Sequence, residues 1–122
     1  MNLAELKEAV QELMSATKGY IEIATEDGDS APYAVADAER CSAILEEYLS
    51  YLFVGERTNA EIIAQVEITV KALNELNSKC GCSLIETDER ERICEIIIEA
   101  AKACGYQVPD EDDDITFEWR DW

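Results

Sequence analysis

The stretch NLAELKEAVQELMSATKGYIEIAT, residues 2–25, contains the pattern that decides the fold. Its apolar and small residues recur alternately three and four positions apart, which places them on one stripe of an α-helix: Leu3, Leu6, Val10, Leu13, Thr17, Tyr20 and Ala24. Asn2 is a suitable N-cap, and Glu5 stands three residues later, where its carboxylate can reach the amide of the cap. The stretch therefore predicts one long amphipathic helix.

Three later stretches combine the same periodicity with signals for the start or the end of a helix. Gly55 ends the second stripe, and Thr58 with Glu61 frames a capping box for the third. Asp88, with Glu91 three residues on, opens the fourth. Connections of roughly four to eight residues favour antiparallel neighbours. The sequence therefore predicts an all-α, antiparallel up-down-up-down four-helix bundle, with helices near residues 2–25, 33–54, 59–79 and 88–104.

Residues 107–122 form an acidic, aromatic C-terminal tail that differs in composition from the bundle domain, residues 1–106. Both tryptophans of the chain, Trp119 and Trp122, lie in this tail. They follow five consecutive acidic residues, which we call the acidic run: Asp110, Glu111, Asp112, Asp113 and Asp114. Because carboxylates are costly to bury and tryptophan rings gain from burial, we expect a solvated acidic run and an aromatic end packed on the bundle. The alternative is a protruding peptide, which in extended form would present its aromatic residues on one face to a partner.

The charge balance restricts the classes of partner. The chain has 28 acidic and 10 basic residues, which gives a net charge of −18. Nucleic acid and anionic membranes would be repelled at physiological salt, whereas a basic protein would be attracted. No stretch approaches the roughly 18 apolar residues of a membrane span, and the N-terminus has no signal-peptide pattern. With an odd number of cysteines, five, which suits reduced thiols, these features predict a cytoplasmic protein.

The sequence contains no histidine, which removes several common kinds of catalytic site. Without it, Ser-His-Asp and Cys-His nucleophiles and most catalytic zinc or iron sites cannot form. Four cysteines could in principle supply thiolates to zinc, but their spacing is not that of the usual paired knuckles: Cys80, Cys82, Cys94 and Cys104. We therefore expect no catalytic residues, no cofactor and no resident metal.

A weaker metal signal lies in the acidic run. Asp110, Asp112 and Asp114 match the first three ligands of a helix–loop–helix calcium site. The sixth position is Ile115 instead of Gly, and the twelfth is Asp121 instead of Glu, so the match fails where the loop geometry depends on it. Weak binding of calcium or magnesium by the tail stays open as an alternative to a solvated charge run.

These features favour a non-catalytic acidic protein that neutralises a basic partner. A bacterial immunity protein or antitoxin that covers the cationic cleft of a toxin, such as a nuclease, fits the charge and the helical fold. The alternatives are an acidic chaperone, an adaptor, or a nucleic-acid mimic that binds a nucleic-acid-binding protein. An enzyme that uses paired carboxylates and a divalent metal is the least favoured alternative, because the spacing of the acidic residues does not identify a catalytic pair. We expect the partner to contact the tail through Asp110, Glu111, Asp112, Asp113, Asp114, Trp119 and Trp122.

Overall fold

The computed structural model describes residues 1–28, 31, 33–107 and 114–122. Within these ranges the chain has no strand and four α-helices: α1 (Leu3–Glu26), α2 (Val35–Phe53), α3 (Asn59–Lys79) and α4 (Thr87–Ala103). Helix α2 contacts each of the other three helices, α1 also contacts α4, and all four contribute to one apolar core. The prediction of an all-α chain with four packed helices is therefore confirmed.

Two helices begin at the capping boxes that the sequence predicts. The Asn2 side-chain oxygen accepts a hydrogen bond from the Glu5 amide at 2.8 Å, and the Glu5 carboxylate accepts one from the Asn2 amide at 3.3 Å. Thr58 and Glu61 form the same reciprocal pair at the start of α3, at 3.1 and 3.0 Å. Each box gives partners to two amides that have none within the helix, so local sequence fixes these helix starts.

The connection between α3 and α4 is organised by the buried side chain of Asn77. Its Oδ1 atom accepts a hydrogen bond from the amide of Ile85 at 2.9 Å. Leu84 and Ile85 are buried beside it, and Glu86 becomes the N-cap of α4 without a side-chain capping bond. The sequence prediction starts this helix at Asp88, one residue after Thr87, a difference within the usual scatter of helix boundaries. The contact between Asn77 and Ile85 positions the chain just before α4. Because this contact joins residues eight positions apart, the capping pattern in the sequence does not reveal it.

The core joins the helices through fully buried apolar side chains and one buried hydrogen bond. The hydroxyl of Tyr48 on α2 donates to the carbonyl oxygen of Ile97 on α4 at 2.7 Å. The largest fully buried aliphatic side chains of the core are Leu6, Leu45, Leu49, Leu52, Ile62, Leu73, Ile93, Ile96 and Ile97. None of the helices in the described ranges has both the length and the apolar composition that crossing a membrane requires.

Helix α1 extends beyond the shorter helices. It has 24 residues whereas α4 has 17, which at about 1.5 Å per residue makes α1 about 10 Å longer. Tyr20 belongs to the predicted apolar stripe of this helix, yet it is 52% exposed, and Ile23 is more exposed still. The stripe therefore continues past the part of α1 that the bundle covers, and it leaves aromatic and aliphatic surface at that end.

Candidate functional site

Residues 114–122, which we call the C-terminal turn, fold back on themselves. The amide of Phe117 donates to the carbonyl oxygen of Asp114 at 3.1 Å, and the amide of Arg120 donates to that of Thr116 at 3.1 Å. Bonds of three- and four-residue span form a single helical turn. The extended conformation that would align the aromatic residues on one face is therefore not adopted.

Arg120 and Asp114 hold the turn closed. The Asp114 carboxylate accepts hydrogen bonds from the amide and the hydroxyl of Thr116, at 2.9 and 2.5 Å, and pairs with the Arg120 guanidinium at 3.0 Å. Arg120 also donates to the Thr116 hydroxyl at 3.2 Å and to the carbonyl oxygen of Trp122 at 2.9 Å. One cation thus links three positions of the turn, and charge-assisted bonds of this kind are stronger than neutral ones.

The ionisation of Asp114 reflects these contacts. Burial alone would raise the pKa of its carboxyl group, but hydrogen bonds from Thr116 and the adjacent Arg120 outweigh burial and leave the pKa below its ordinary value. We expected Asp114 in water with the rest of the acidic run, whereas its carboxylate is half-buried and committed to contacts within the chain. The other four members of the acidic run, Asp110 to Asp113, lie outside the described residues.

The C-terminal turn packs against the bundle through Ile115, which is buried, and through Asn74 of α3. The Asn74 amide group donates to the carbonyl oxygen of Trp119 at 2.7 Å, and its side-chain oxygen accepts from the amide of Asp121 at 3.3 Å. Trp119 and Trp122 are half-buried and lie at the edge of the core. The two predicted contact residues therefore use much of their surface within the chain.

Thr116 connects the turn to α4. Its side chain is fully buried, and its hydroxyl oxygen lies 3.5 Å from the sulfur of Cys94. The hydroxyl has one proton, which it donates to Asp114, so the Cys94 thiol is the donor in this contact. Burial raises the pKa of the Cys94 thiol and keeps it protonated. This thiol therefore serves packing and hydrogen bonding.

Phe117 is the exposed aromatic residue of the turn. Its side chain is 72% exposed and borders a cleft of about 560 Å³ whose apolar walls include Ile63 and Tyr106. Glu118 and Asp121, both exposed, are close to it in the chain. The sequence prediction grouped Phe117 with Trp119 and Trp122 as one aromatic face of an extended tail, but it did not include Phe117 among the contact residues. Helical spacing could have identified it, because Ile115 and Trp119, four residues apart, share the inner face, and a residue midway between them points away.

The cysteines are not gathered into a metal site. All five thiols are free, and the part of the chain that the structure describes contains no group of three or more side chains able to hold a metal ion. Cys94 contacts Thr116, whereas the sulfur of Cys104 lies 3.5 Å from the carbonyl oxygen of Leu52. These two cysteines therefore have different neighbours, and neither is placed for the four-thiolate arrangement that the sequence left open.

Comparison with family models, with curated proteins and with solved structures gave no match. Function must therefore be inferred from the surface and the charge of the chain itself. The net charge is −18, and across the described residues only a minority of carboxylates lie within ion-pair distance of a cation. Phe117 is exposed, and the acidic residues Glu118 and Asp121, close to it in the chain, are exposed as well.

Proposed function

We propose that the protein is a non-catalytic binding protein whose C-terminal turn contacts a basic protein. The observation that carries the proposal is Phe117, a large aromatic side chain that is 72% exposed on a turn held closed by Arg120. In a typical interface a few side chains contribute most of the binding energy, and large aromatic side chains are enriched at the centre of such interfaces. A turn that is already ordered loses little conformational entropy when a partner binds.

The charges around Phe117 suit a cationic partner. Glu118 and Asp121 are exposed beside it, and four more acidic residues, Asp110 to Asp113, precede the turn in sequence. Charges at the rim of an interface act mainly on the association rate and on the choice of partner. We therefore assign steering to these carboxylates, and we assign short-range affinity to Phe117.

The tryptophans have a supporting role in this proposal. We take the tail to be an acidic and aromatic segment that Trp119 and Trp122 fix to the bundle. We also take neighbouring helices to run antiparallel, because α2 and α3 are in contact and only five residues, 54–58, connect them. A rigid bundle then presents the C-terminal turn in one orientation.

Within this proposal the partner is a cationic toxin, such as a nuclease, and the protein acts as an immunity protein or antitoxin that covers its active-site cleft. An acidic chaperone or a nucleic-acid mimic would use the same charge. Such proteins bind through distributed carboxylates, so they would not depend on one aromatic side chain. A large contribution of Phe117 to affinity would therefore favour the toxin inhibitor over an acidic chaperone or a nucleic-acid mimic.

The test uses the variant Phe117→Ala with Ile68→Ala as its matched control. Ile68 is 60% exposed on α3, so each change shortens one exposed apolar side chain and neither opens the core. The parent protein, immobilised at about 0.1 M salt, is used to isolate a basic partner from cells of the source organism, and the purified partner is then titrated against each variant.

We expect Phe117→Ala to weaken binding roughly 30-fold, which corresponds to a hot-spot contribution of about 2 kcal/mol. Ile68→Ala should bind like the parent. Raising the salt to about 1 M, where the Debye length falls to about 3 Å, should slow association in all three proteins. Equal affinities of the parent and Phe117→Ala for the basic partner would show that the C-terminal turn is not the contact surface.

A further inference from the structure

A second cleft, with a volume of about 240 Å³, lies beside the exposed end of α1. Its walls come from three parts of the chain: Tyr20 of α1, Tyr33 just before α2, and Ser83, Glu86 and Glu89 from the α3–α4 connection and the first turn of α4. It shares no lining residue with the cleft beside Phe117. It is thus a separate feature of the surface.

Two stacked tyrosines form one wall of this cleft, which we call the tyrosine cleft. The ring centroids of Tyr20 and Tyr33 are 5.9 Å apart, with an angle of 28° between the ring planes. Tyr20 is 52% exposed, whereas Tyr33 is only 7% exposed. The hydroxyl of Tyr33 makes no hydrogen bond with any residue that the structure describes. The fully enclosed side-chain atoms without a partner in the described ranges do not include this oxygen, so a molecule in the cleft can reach it as a hydrogen-bond acceptor.

Two carboxylates, those of Glu86 and Glu89, also line the tyrosine cleft. Glu86 is the N-cap of α4, yet its side chain makes no capping bond. No lysine or arginine in the described ranges pairs with Glu86 or Glu89, and none lines the tyrosine cleft. Burial raises the pKa of Tyr33 to about 12, and the negative charges of Glu89 and Glu86 add to the effect. Burial, the larger cause, disfavours any charge at this position, and only the negative charges of Glu89 and Glu86 favour a cation there.

We propose that the tyrosine cleft binds the guanidinium group of an arginine side chain. The planar guanidinium can stack on the exposed ring of Tyr20 while its forked N–H groups donate to Glu86 and Glu89. The Tyr33 hydroxyl oxygen is a further acceptor for one of these donors. The cleft, with a volume of about 240 Å³, has room for the guanidinium group and part of its stem.

Arginine fits the cleft better than lysine. An ammonium group is a compact and strongly hydrated point charge, so it gains less from stacking on an aromatic ring and cannot make forked bonds to two carboxylates. The tyrosine cleft has no lining residue in the C-terminal turn, so binding there is independent of the function proposed for the turn.

The test uses N-acetyl-arginine-methylamide as the probe and follows the backbone amides of the 122-residue chain by NMR. N-acetyl-citrulline-methylamide, which has nearly the same shape without the charge, and the corresponding lysine derivative are the control ligands. We expect saturable shifts at Tyr33 and Glu89 with the arginine probe, no saturation with citrulline, and weaker binding of lysine. Shifts that do not saturate, or equal binding of the citrulline or lysine probe, would overturn the assignment.

Two variants link the binding to the cleft. Tyr20→Ala removes the exposed ring, and Glu89→Gln removes one negative charge with little change of side-chain shape. Each variant should bind the arginine probe with an affinity about tenfold lower than that of the parent. Glu47→Gln removes the same charge from an exposed position on α2 and should have no effect. If Glu89→Gln and Glu47→Gln bind alike, general attraction to the acidic surface explains the shifts. Phe117→Ala should bind the arginine probe with the same affinity as the parent. A negative result for the tyrosine cleft would therefore leave the function proposed for the C-terminal turn untouched, and the reverse also holds.

Discussion

Replacing Arg120 by Met tests the network that closes the C-terminal turn. Methionine keeps an unbranched stem of similar length but removes the pair with Asp114 and the bonds to Thr116 and Trp122. The Asp114 carboxylate then stays half-buried without its cation, although it keeps the hydrogen bonds from Thr116. We expect the turn to loosen and the two tryptophans to become more exposed to water.

The size of the effect follows from the exposure of the pair. An exposed ion pair contributes about 0–1 kcal/mol, whereas breaking a buried pair costs about 3–5 kcal/mol. The Arg120 side chain is 13% exposed and that of Asp114 is 32% exposed, so the pair lies between these limits. We therefore expect a loss of about 2 kcal/mol at neutral pH. The Lys71–Glu67 pair, at 2.9 Å but with side chains 59% and 41% exposed, gives the control Lys71→Met, which should cost at most about 0.5 kcal/mol.

Urea unfolding measures both outcomes, since tryptophan fluorescence reports on the C-terminal turn and far-ultraviolet circular dichroism reports on the helices. Because the pKa of Asp114 is lowered in the folded protein, its stabilisation is complete above the unfolded-state pKa and is lost as the pH falls through the folded-state pKa. Arg120→Met raises the folded-state pKa, so the difference between parent and variant should shrink on acidification. If Arg120→Met and Lys71→Met lose the same small amount at neutral pH, the network does not hold the turn.

Two further predictions concern the core and the acidic run. Ile97→Ala opens a cavity at a fully buried position and should cost about 2–5 kcal/mol, whereas Ile68→Ala on the surface should stay within about 0.5 kcal/mol, as thermal melts monitored by circular dichroism would show. Replacing the four residues from Asp110 to Asp113 by Asn and Gln should preserve stability while slowing association with a basic partner and flattening its salt dependence, whereas Asp114→Asn should reduce stability. Stopped-flow association and urea melts distinguish these effects, and a stability loss in the fourfold variant would contradict the steering role.

The sequence was sufficient for helices whose ends depend on local contacts. Asn2 with Glu5 and Thr58 with Glu61 form capping boxes within four consecutive residues, so their spacing alone predicts the bonds. The conformation of the chain just before α4 could not be predicted in this way. It depends on Asn77, whose side chain captures a backbone amide eight residues later in the folded chain.

The candidate site was less predictable because its register depends on contacts distant in sequence. Composition identified an acidic and aromatic segment, but the bond between Asn74 and Trp119 spans 45 positions. Within five consecutive acidic residues, only Asp114 lies two positions before Thr116 and six before Arg120, where one carboxylate can reach both. Residue type does not distinguish Asp114 from its neighbours, so position within the turn decides which carboxylate is structural.

The excess of negative charge is larger than stability or solubility requires. Like charges repel and oppose compaction, so a net charge of −18 on 122 residues is a cost to the folded state. A small domain stays soluble with a net charge of magnitude about 2–8. The ion pairs that the structure describes use few of the carboxylates, and the pair that closes the C-terminal turn needs only Asp114. Under the function proposed above, the remaining charge serves association with a cation-bearing partner, for which a strong negative field raises the encounter rate.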